Sequence, residues 1–136
     1  MVIVDDDSRH NLLLGAILQQ AGYEVALCVS GPAALAAIAQ GCDCLISDYH
    51  MPGMDGVELI RAVRRADSPV CILLTGSDNG TVDDRALASG AVAVLRKPTH
   101  PVVILGILNM LASGTCKHRP ASDRLPSAGR ALARGC

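Results

Sequence analysis

Short apolar runs alternate with helical patterns along most of this 136-residue chain, and that alternation limits the possible folds more than any other feature. Each run predicts a strand buried on both faces, and the runs cover residues 2–4, 25–29, 44–46, 70–74 and 91–95. Between and after them, apolar side chains recur at helical spacing within residues 12–21, 33–39, 57–63, 83–89 and 102–111. Five strand–helix units are therefore expected.

The residues between these segments are those that begin and end helices. Ser30 and Pro32 precede the second helical pattern as a cap and a helix-starting proline, and Asp55 can cap the third. Glycines stand where three helices should end, at positions 22, 41 and 90. Strict alternation with short connections predicts parallel strands, right-handed crossovers and helices on both sheet faces, which is an α/β three-layer sandwich.

The composition is that of a globular domain without a basic surface. Phe and Trp are absent, so the core must consist of Leu, Val, Ile and Ala. Lys and Arg number 12 against 13 Asp and Glu, which gives no general electrostatic reason to bind nucleic acid or an anionic membrane. The cysteines at 28, 42, 44 and 71 lie in or beside apolar runs and are expected to be buried. Cys42 and Cys44 lack the spacing and the second pair that a structural zinc site needs.

Charge divides the chain near residue 113. Residues 1–112 hold 7 basic and 12 acidic side chains, whereas residues 113–136 hold 5 basic and 1 acidic. The second segment has no periodicity, so we expect a domain at 1–112 and a flexible basic tail at 113–136. The chain opens on a strand pattern, and its longest apolar stretch is shorter than the ~20 residues of a membrane span. We therefore expect a cytoplasmic protein without membrane insertion.

Polar side chains follow four of the predicted strands. Asp5 and Asp6 follow the first strand, Asp48 the third, Thr75 the fourth and Lys97 the fifth. Because the carboxyl ends of parallel strands meet at one edge of a sheet, which is where ligands bind, these side chains are expected to converge. Two carboxylates near 4 Å repel by ~4 kcal/mol at an effective dielectric of about 20, so cations must compensate.

A magnesium ion fits this expected site. Lys97 supplies one positive charge and Mg²⁺ two, which together neutralise the three carboxylates. Such a site suggests phosphoryl transfer to an oxygen nucleophile, and Asp48 is the best candidate because a carboxylate forms an acyl phosphate directly. Asp5 and Asp6 would hold the metal, while Lys97 and Thr75 would bind phosphoryl oxygens.

The candidate site residues lie in four blocks of the sequence, which are VDDD at 4–7, SDYHMPGMDG at 47–56, LTG at 74–76 and LRKP at 95–98. These four blocks resemble the signature blocks of response regulator receiver domains. The resemblance covers about residues 1–112 and implies a flavodoxin-like (βα)5 fold with a parallel five-stranded sheet in the order 2-1-3-4-5. It implies that Asp48 accepts a phosphoryl group from a sensor histidine kinase or a phosphotransfer protein. It further implies that Asp6 and Asp48 bind Mg²⁺ directly, Asp5 partly through water, and His50 through its backbone carbonyl.

The chain departs from the family pattern at two places. Receiver domains commonly have Tyr or Phe three residues before the lysine, where this chain has Val94, and Phe after the Lys-Pro pair, where it has Thr99. We therefore expect a weaker or different change of the surface formed by helix 4, strand 5 and helix 5. His50 and Ser77 stand at family positions that tune self-dephosphorylation.

The resemblance predicts a phosphorylation-controlled interaction module rather than an enzyme, although slow self-dephosphorylation is possible. It would act on a downstream protein, without direct contact to nucleic acid, and could form a homodimer. One alternative is a phosphatase of the haloacid dehalogenase type with Asp5 as nucleophile and Asp7 as acid, although Arg9 stands where that motif usually has Thr or Val. A second alternative is a receiver-like docking domain that does not use phosphate.

Overall fold

The computed structural model describes residues 1–63, 69–76 and 80–112. Its ten elements alternate without exception: β1 Val2–Val4, α1 Ser8–Gln20, β2 Ala26–Cys28, α2 Gly31–Ile38, β3 Cys44–Asp48, α3 Gly56–Val63, β4 Val70–Thr75, α4 Gly80–Ser89, β5 Ala91–Arg96 and α5 Pro101–Met110. The predicted tail at 113–136 and Ser77 lie outside the described residues, so the domain boundary remains a prediction.

The five strands form one parallel sheet in the order β2-β1-β3-β4-β5, which confirms the predicted α/β fold. Helices α1 and α5 pack on one face through Leu14, Leu18, Ile104 and Leu108. Helices α2, α3 and α4 cover the other face. None of the helices within the described ranges combines the length and the apolar content that a membrane span requires.

The predicted caps of α2 and α3 and the predicted glycine ends of three helices are confirmed. The Ser30 hydroxyl accepts a hydrogen bond from the Ala33 N–H at 3.2 Å and caps α2. The Asp55 carboxylate accepts from the Glu58 N–H at 2.8 Å, and the Glu58 carboxylate accepts from the Asp55 N–H at 2.9 Å. This reciprocal pair is a capping box. Gly22, Gly41 and Gly90 all have positive φ after their helices.

The prediction that every strand is buried on both faces is wrong for the two edge strands. Strands β1, β3 and β4 are buried throughout, but Ala26 and Leu27 of β2 are exposed and most of β5 is half-buried. The reason is their place in the sheet, since β2 and β5 each have a neighbour on one side only. The cysteine prediction is confirmed for Cys28, Cys44 and Cys71, whereas Cys42 is half-buried in the loop before β3.

Gly56, the first residue of α3, lies where a side chain has no room. A Cβ at this position would lie 2.5 Å from the Asp48 carbonyl oxygen and 2.5 Å from Leu73 Cδ1. The Gly56 N–H also donates to the Tyr49 carbonyl at 2.9 Å. The start of α3 is therefore packed directly against the loop that follows Asp48.

We predict that Gly56→Ala lowers the free energy of unfolding by about 1–3 kcal/mol, the usual cost of forcing an extra group into a packed site. Gly106→Ala is the matched control, because a Cβ at this α5 position meets nothing within 4 Å. The control should be unchanged or more stable by up to about 1 kcal/mol, since alanine favours helix. Urea unfolding followed by circular dichroism measures both, and equal effects of the two substitutions would contradict the packing argument.

Candidate functional site

Three carboxylates meet at the carboxyl edge of the sheet. Asp5 and Asp6 directly follow β1, and Asp48 ends β3, which pairs with β1 in a register that aligns Val4 with Ser47. One oxygen from each carboxylate lies within 4.8 Å of the others. Asp5 and Asp48 are buried, and Asp6 is exposed. The pocket therefore combines two buried charges with one that faces solvent.

Lys97 supplies the positive charge of this pocket. Its Nζ lies 2.8 Å from Asp48 Oδ1 and 3.5 Å from Asp5 Oδ2. The backbone N–H of Lys97 donates to the backbone carbonyl of Thr75 at 2.8 Å, which joins the end of β5 to the end of β4. The peptide bond between Lys97 and Pro98 is cis. The ammonium group is thus held between the two buried carboxylates.

Asp5 has hydrogen-bond partners on both oxygens. The Asp7 N–H donates to Oδ1 at 2.9 Å, and His10 Nδ1 makes a short hydrogen bond to Oδ2. His10 lies in the first turn of α1 and is a site residue that the sequence does not predict. The only sequence signal for it is the Asp7 cap, because a helix starting at Ser8 turns position 10 back toward the end of β1.

The pKa values of the two buried carboxylates are shifted in opposite directions. Burial raises the pKa of Asp48, and the nearby carboxylate charges add to that rise, while the Lys97 ammonium only partly offsets it. Burial also acts to raise the pKa of Asp5, but the Asp7 N–H, the His10 ring and Lys97 outweigh it and hold that pKa below its ordinary value. Burial disfavours the charged form of Lys97, yet the carboxylates prevail and raise its pKa. Of the two buried carboxylates, Asp48 is thus the one whose negative charge is less stabilised.

The other predicted site residues lie around this pocket in different ways. Thr75 is fully buried at the end of β4, one residue beyond Leu74, the strand partner of Asp48. His50 is exposed, and its ring makes an edge contact with the Tyr49 ring at 4.7 Å. Asp7 is the N-cap of α1, where its carboxylate accepts from the first-turn N–H groups. That use does not support Asp7 as a catalytic acid.

Two side-chain contacts join the pocket to α4. Arg96, next to Lys97, forms a bidentate ion pair with Asp83, in which Nη1 lies 2.9 Å from Oδ1 and Nη2 lies 2.7 Å from Oδ2. Arg85 Nη1 donates to the hydroxyl of Tyr49, the residue that follows Asp48, at 3.3 Å. Val94 packs half-buried against the core on the α4 side of the sheet. The neighbours of both Lys97 and Asp48 are therefore in contact with the same helix.

The donor set of the pocket fits magnesium. Three carboxylates offer only oxygen, the ligand type that Mg²⁺ prefers. The exposed Asp6 leaves the cluster open to solvent on one side, which suits an ion that keeps several waters.

Comparisons with known proteins agree with this geometry. The protein-family model of the response regulator receiver domain matches residues 1–109 of this chain. The chain is 36% identical over 98 residues to the transcriptional regulatory protein FixJ of Bradyrhizobium diazoefficiens, covering 71% of this chain and 48% of that protein. It is 39% identical over 103 residues to the transcriptional regulatory protein PrrA of Mycobacterium tuberculosis, covering 72% and 43%. The chain thus spans less than half the length of these curated relatives.

Solved structures with the same fold include the chemotaxis response regulator CheY4 of Vibrio cholerae, with a TM-score of 0.72, 34% identity and coverage of 81% of this chain and 95% of that one. The receiver domain of a signal transduction histidine kinase from Syntrophus aciditrophicus has a TM-score of 0.74 at 29% identity and covers 96% and 97%. These matches favour neither the phosphatase nor the phosphate-independent docking domain. The chain belongs to the response regulator receiver domain family of two-component signalling.

Proposed function

We propose that this receiver domain accepts a phosphoryl group on Asp48 in a Mg²⁺-dependent reaction and signals through phosphorylation-dependent protein contacts. The observation that carries the proposal is the position of Lys97 Nζ, 2.8 Å from Asp48 Oδ1, within a cluster of three carboxylates. The donor is the phosphohistidine of a sensor histidine kinase or of a phosphotransfer protein. Asp48 is suited to the transfer because burial raises its pKa, and a more basic carboxylate oxygen is a better nucleophile.

The transfer step replaces one bond to phosphorus with another. A carboxylate oxygen of Asp48 attacks phosphorus, the P–N bond of phosphohistidine breaks, and the imidazole leaves with its electron pair and is protonated by solvent. The product is an acyl phosphate on Asp48. When bound, Mg²⁺ would neutralise phosphoryl oxygens and so allow the dianion to approach the pocket.

Each group of the pocket has a separate role in the transfer. The carboxylates of Asp5, Asp6 and Asp48 hold Mg²⁺, together with the backbone carbonyl of His50. Lys97, released from Asp48 Oδ1, pairs with a phosphoryl oxygen as a point charge. The Thr75 hydroxyl, at the adjacent strand end, donates to another phosphoryl oxygen.

The output of this domain is an interaction with a downstream protein. Its relatives are named as transcriptional and chemotaxis regulators, which supports a role in regulating a cellular response. We propose that residues 1–112 act in the cytoplasm without contacting nucleic acid directly and that they can form a homodimer. Water slowly hydrolyses the acyl phosphate, at a rate influenced by His50 and Ser77, so the domain resets itself without being a turnover enzyme.

Acetyl phosphate with Mg²⁺ should label the chain with one phosphoryl group, because a small acyl phosphate can replace phosphohistidine as donor. Intact-protein mass spectrometry measures the label, and borohydride reduction followed by peptide mapping locates it. We expect the label on Asp48 and none in Asp48→Ala or after chelation of Mg²⁺. Asp84→Ala, at an exposed position of α4, is the control and should label normally.

A label that persists in Asp48→Ala would contradict the assignment of the acceptor. Steady turnover of a small phosphate ester that survives Asp48→Asn but is lost in Asp5→Asn would instead favour the phosphatase. A folded chain that takes no label would favour the docking domain.

Asp48→Asn should increase stability at neutral pH. Because the folded chain binds the Asp48 proton more tightly than the unfolded chain, the wild type loses stability as the pH rises through the raised pKa. The asparagine variant avoids that loss, so its advantage should be full at neutral pH. The advantage should disappear as the pH falls toward 3.8, the ordinary value for this group.

Urea unfolding between acidic and neutral pH measures this difference. Asp84→Asn, on the exposed side of α4, is the control and should change stability little at any pH. An advantage of Asp48→Asn that is the same at every pH, or a loss at neutral pH, would show that the carboxylate charge is not the cause.

A further inference from the structure

We infer that His10 is a positioning residue for magnesium, acting through a hydrogen bond from its Nδ1–H to the Asp5 carboxylate. The inference rests on the proposed function, in which Asp5 helps to hold the ion. His10 lies in the first turn of α1, and its Nδ1 hydrogen-bonds Asp5 Oδ2, the oxygen that Lys97 Nζ also faces at 3.5 Å. Groups that hydrogen-bond metal-binding carboxylates fix their orientation, and removing them typically weakens metal binding about 10–100-fold.

The direction of this hydrogen bond follows from the chemistry of Asp5. The Asp7 N–H and the Lys97 ammonium both face the Asp5 oxygens, as suits a carboxylate, which can only accept, so the proton between the two groups belongs to His10 Nδ1. The Asp7 N–H uses one acceptor site on Oδ1, and His10 uses one on Oδ2. Lys97 Nζ, at 3.5 Å from Oδ2, lies beyond ordinary hydrogen-bond range and acts there as a charge. Each oxygen of Asp5 therefore keeps an acceptor site for an ion or its water.

The ring of His10 is held in place by its own helix turn. The Asp7 carboxylate caps the turn by accepting from the Arg9 and His10 N–H groups. The buried Asn11 side chain donates to the carbonyls of Asp5 at 3.2 Å and Cys28 at 2.7 Å. The first turn of α1 is thereby fixed to the ends of β1 and β2, and His10 keeps its relation to Asp5.

The geometry favours an indirect role over direct ligation. Within the part of the chain that the structure describes, the cluster with mutually close ligand atoms consists of Asp5, Asp6 and Asp48, without His10. The Nδ1 atom of His10 is already engaged by Asp5. His10 also lines a cavity of about 200 Å³ with apolar residues of α1 and α5, on the flank of the pocket. It therefore supports Asp5 from outside the carboxylate cluster.

Isothermal titration of the full chain with MgCl₂ tests the inference. His10→Leu should weaken Mg²⁺ binding about 10–100-fold, the range typical for such partners. His10→Asn should restore most of the affinity, because its amide N–H can occupy the place of Nδ1–H. Gln20→Leu, at the exposed far end of α1, is the control and should bind Mg²⁺ like the wild type.

A second measurement does not involve the metal. At alkaline pH, where imidazole is neutral, ¹⁵N spectra of the histidine rings should show His10 protonated on Nδ1 in the metal-free chain. Protonation on Nε2 would overturn the inference even if His10→Leu proved unable to fold.

The outcomes of the titration separate the possible roles. Equal weakening by leucine and asparagine would indicate that the imidazole is itself a ligand, and unchanged or tighter binding by His10→Leu would show that it does not support Asp5. Either result overturns the inference. With acetyl phosphate, His10→Leu should label fully at saturating Mg²⁺ but require more Mg²⁺ for half of the maximum rate. A wild-type chain that binds Mg²⁺ but takes no label would count against the proposed function alone.

Discussion

Mutual repulsion among three carboxylates is the constraint on which the rest of this structure depends. Asp5, Asp6 and Asp48 each place an oxygen within 4.8 Å of the others, and two of them are buried. Such a cluster is tolerated only because cations and hydrogen-bond donors oppose the repulsion. Lys97 acts on both buried carboxylates, whereas the Asp7 N–H and His10 act on Asp5 alone. This unequal support leaves the negative charge of Asp48 less stabilised than that of Asp5.

The fold supplies the positions that this unequal support requires. The sheet order places β1 between β2 and β3, so the residues that follow β1 meet the end of β3 at the centre of the sheet. The helix that begins at Ser8 brings donors to Asp5, while the loop after Asp48 is held by the packing of Gly56. Lys97 follows β5, the outermost strand on one side of the sheet, and its side chain reaches Asp48 at the end of β3. The burial that makes the Asp48 carboxylate reactive therefore also costs stability.

The sequence predicts the acidic pocket well because its members sit at strand ends, and alternation alone determines which edge those ends share. It predicts His10 poorly because the apolar periodicity of the first helix begins at residue 12, whereas the helix begins at Ser8 through a polar first turn. It also misjudges β2 and β5, since an apolar run does not reveal whether a strand has one neighbour or two. Side-chain bonds between distant segments, such as that of Arg85 to Tyr49, have no signal in the sequence.

The contacts with α4 bear on how a change at Asp48 could reach the surface. Val94 has no ring to turn, and the links from the pocket to α4 are instead polar, one from Arg96 to Asp83 and one from Arg85 to Tyr49. The Arg96 guanidinium lowers the pKa of Asp83 by hydrogen bonding. The Arg96–Asp83 pair is partly exposed to solvent, and ion pairs of this kind are weak and are screened by salt. Coupling through the Arg96–Asp83 pair is therefore expected to be modest and to depend on ionic strength.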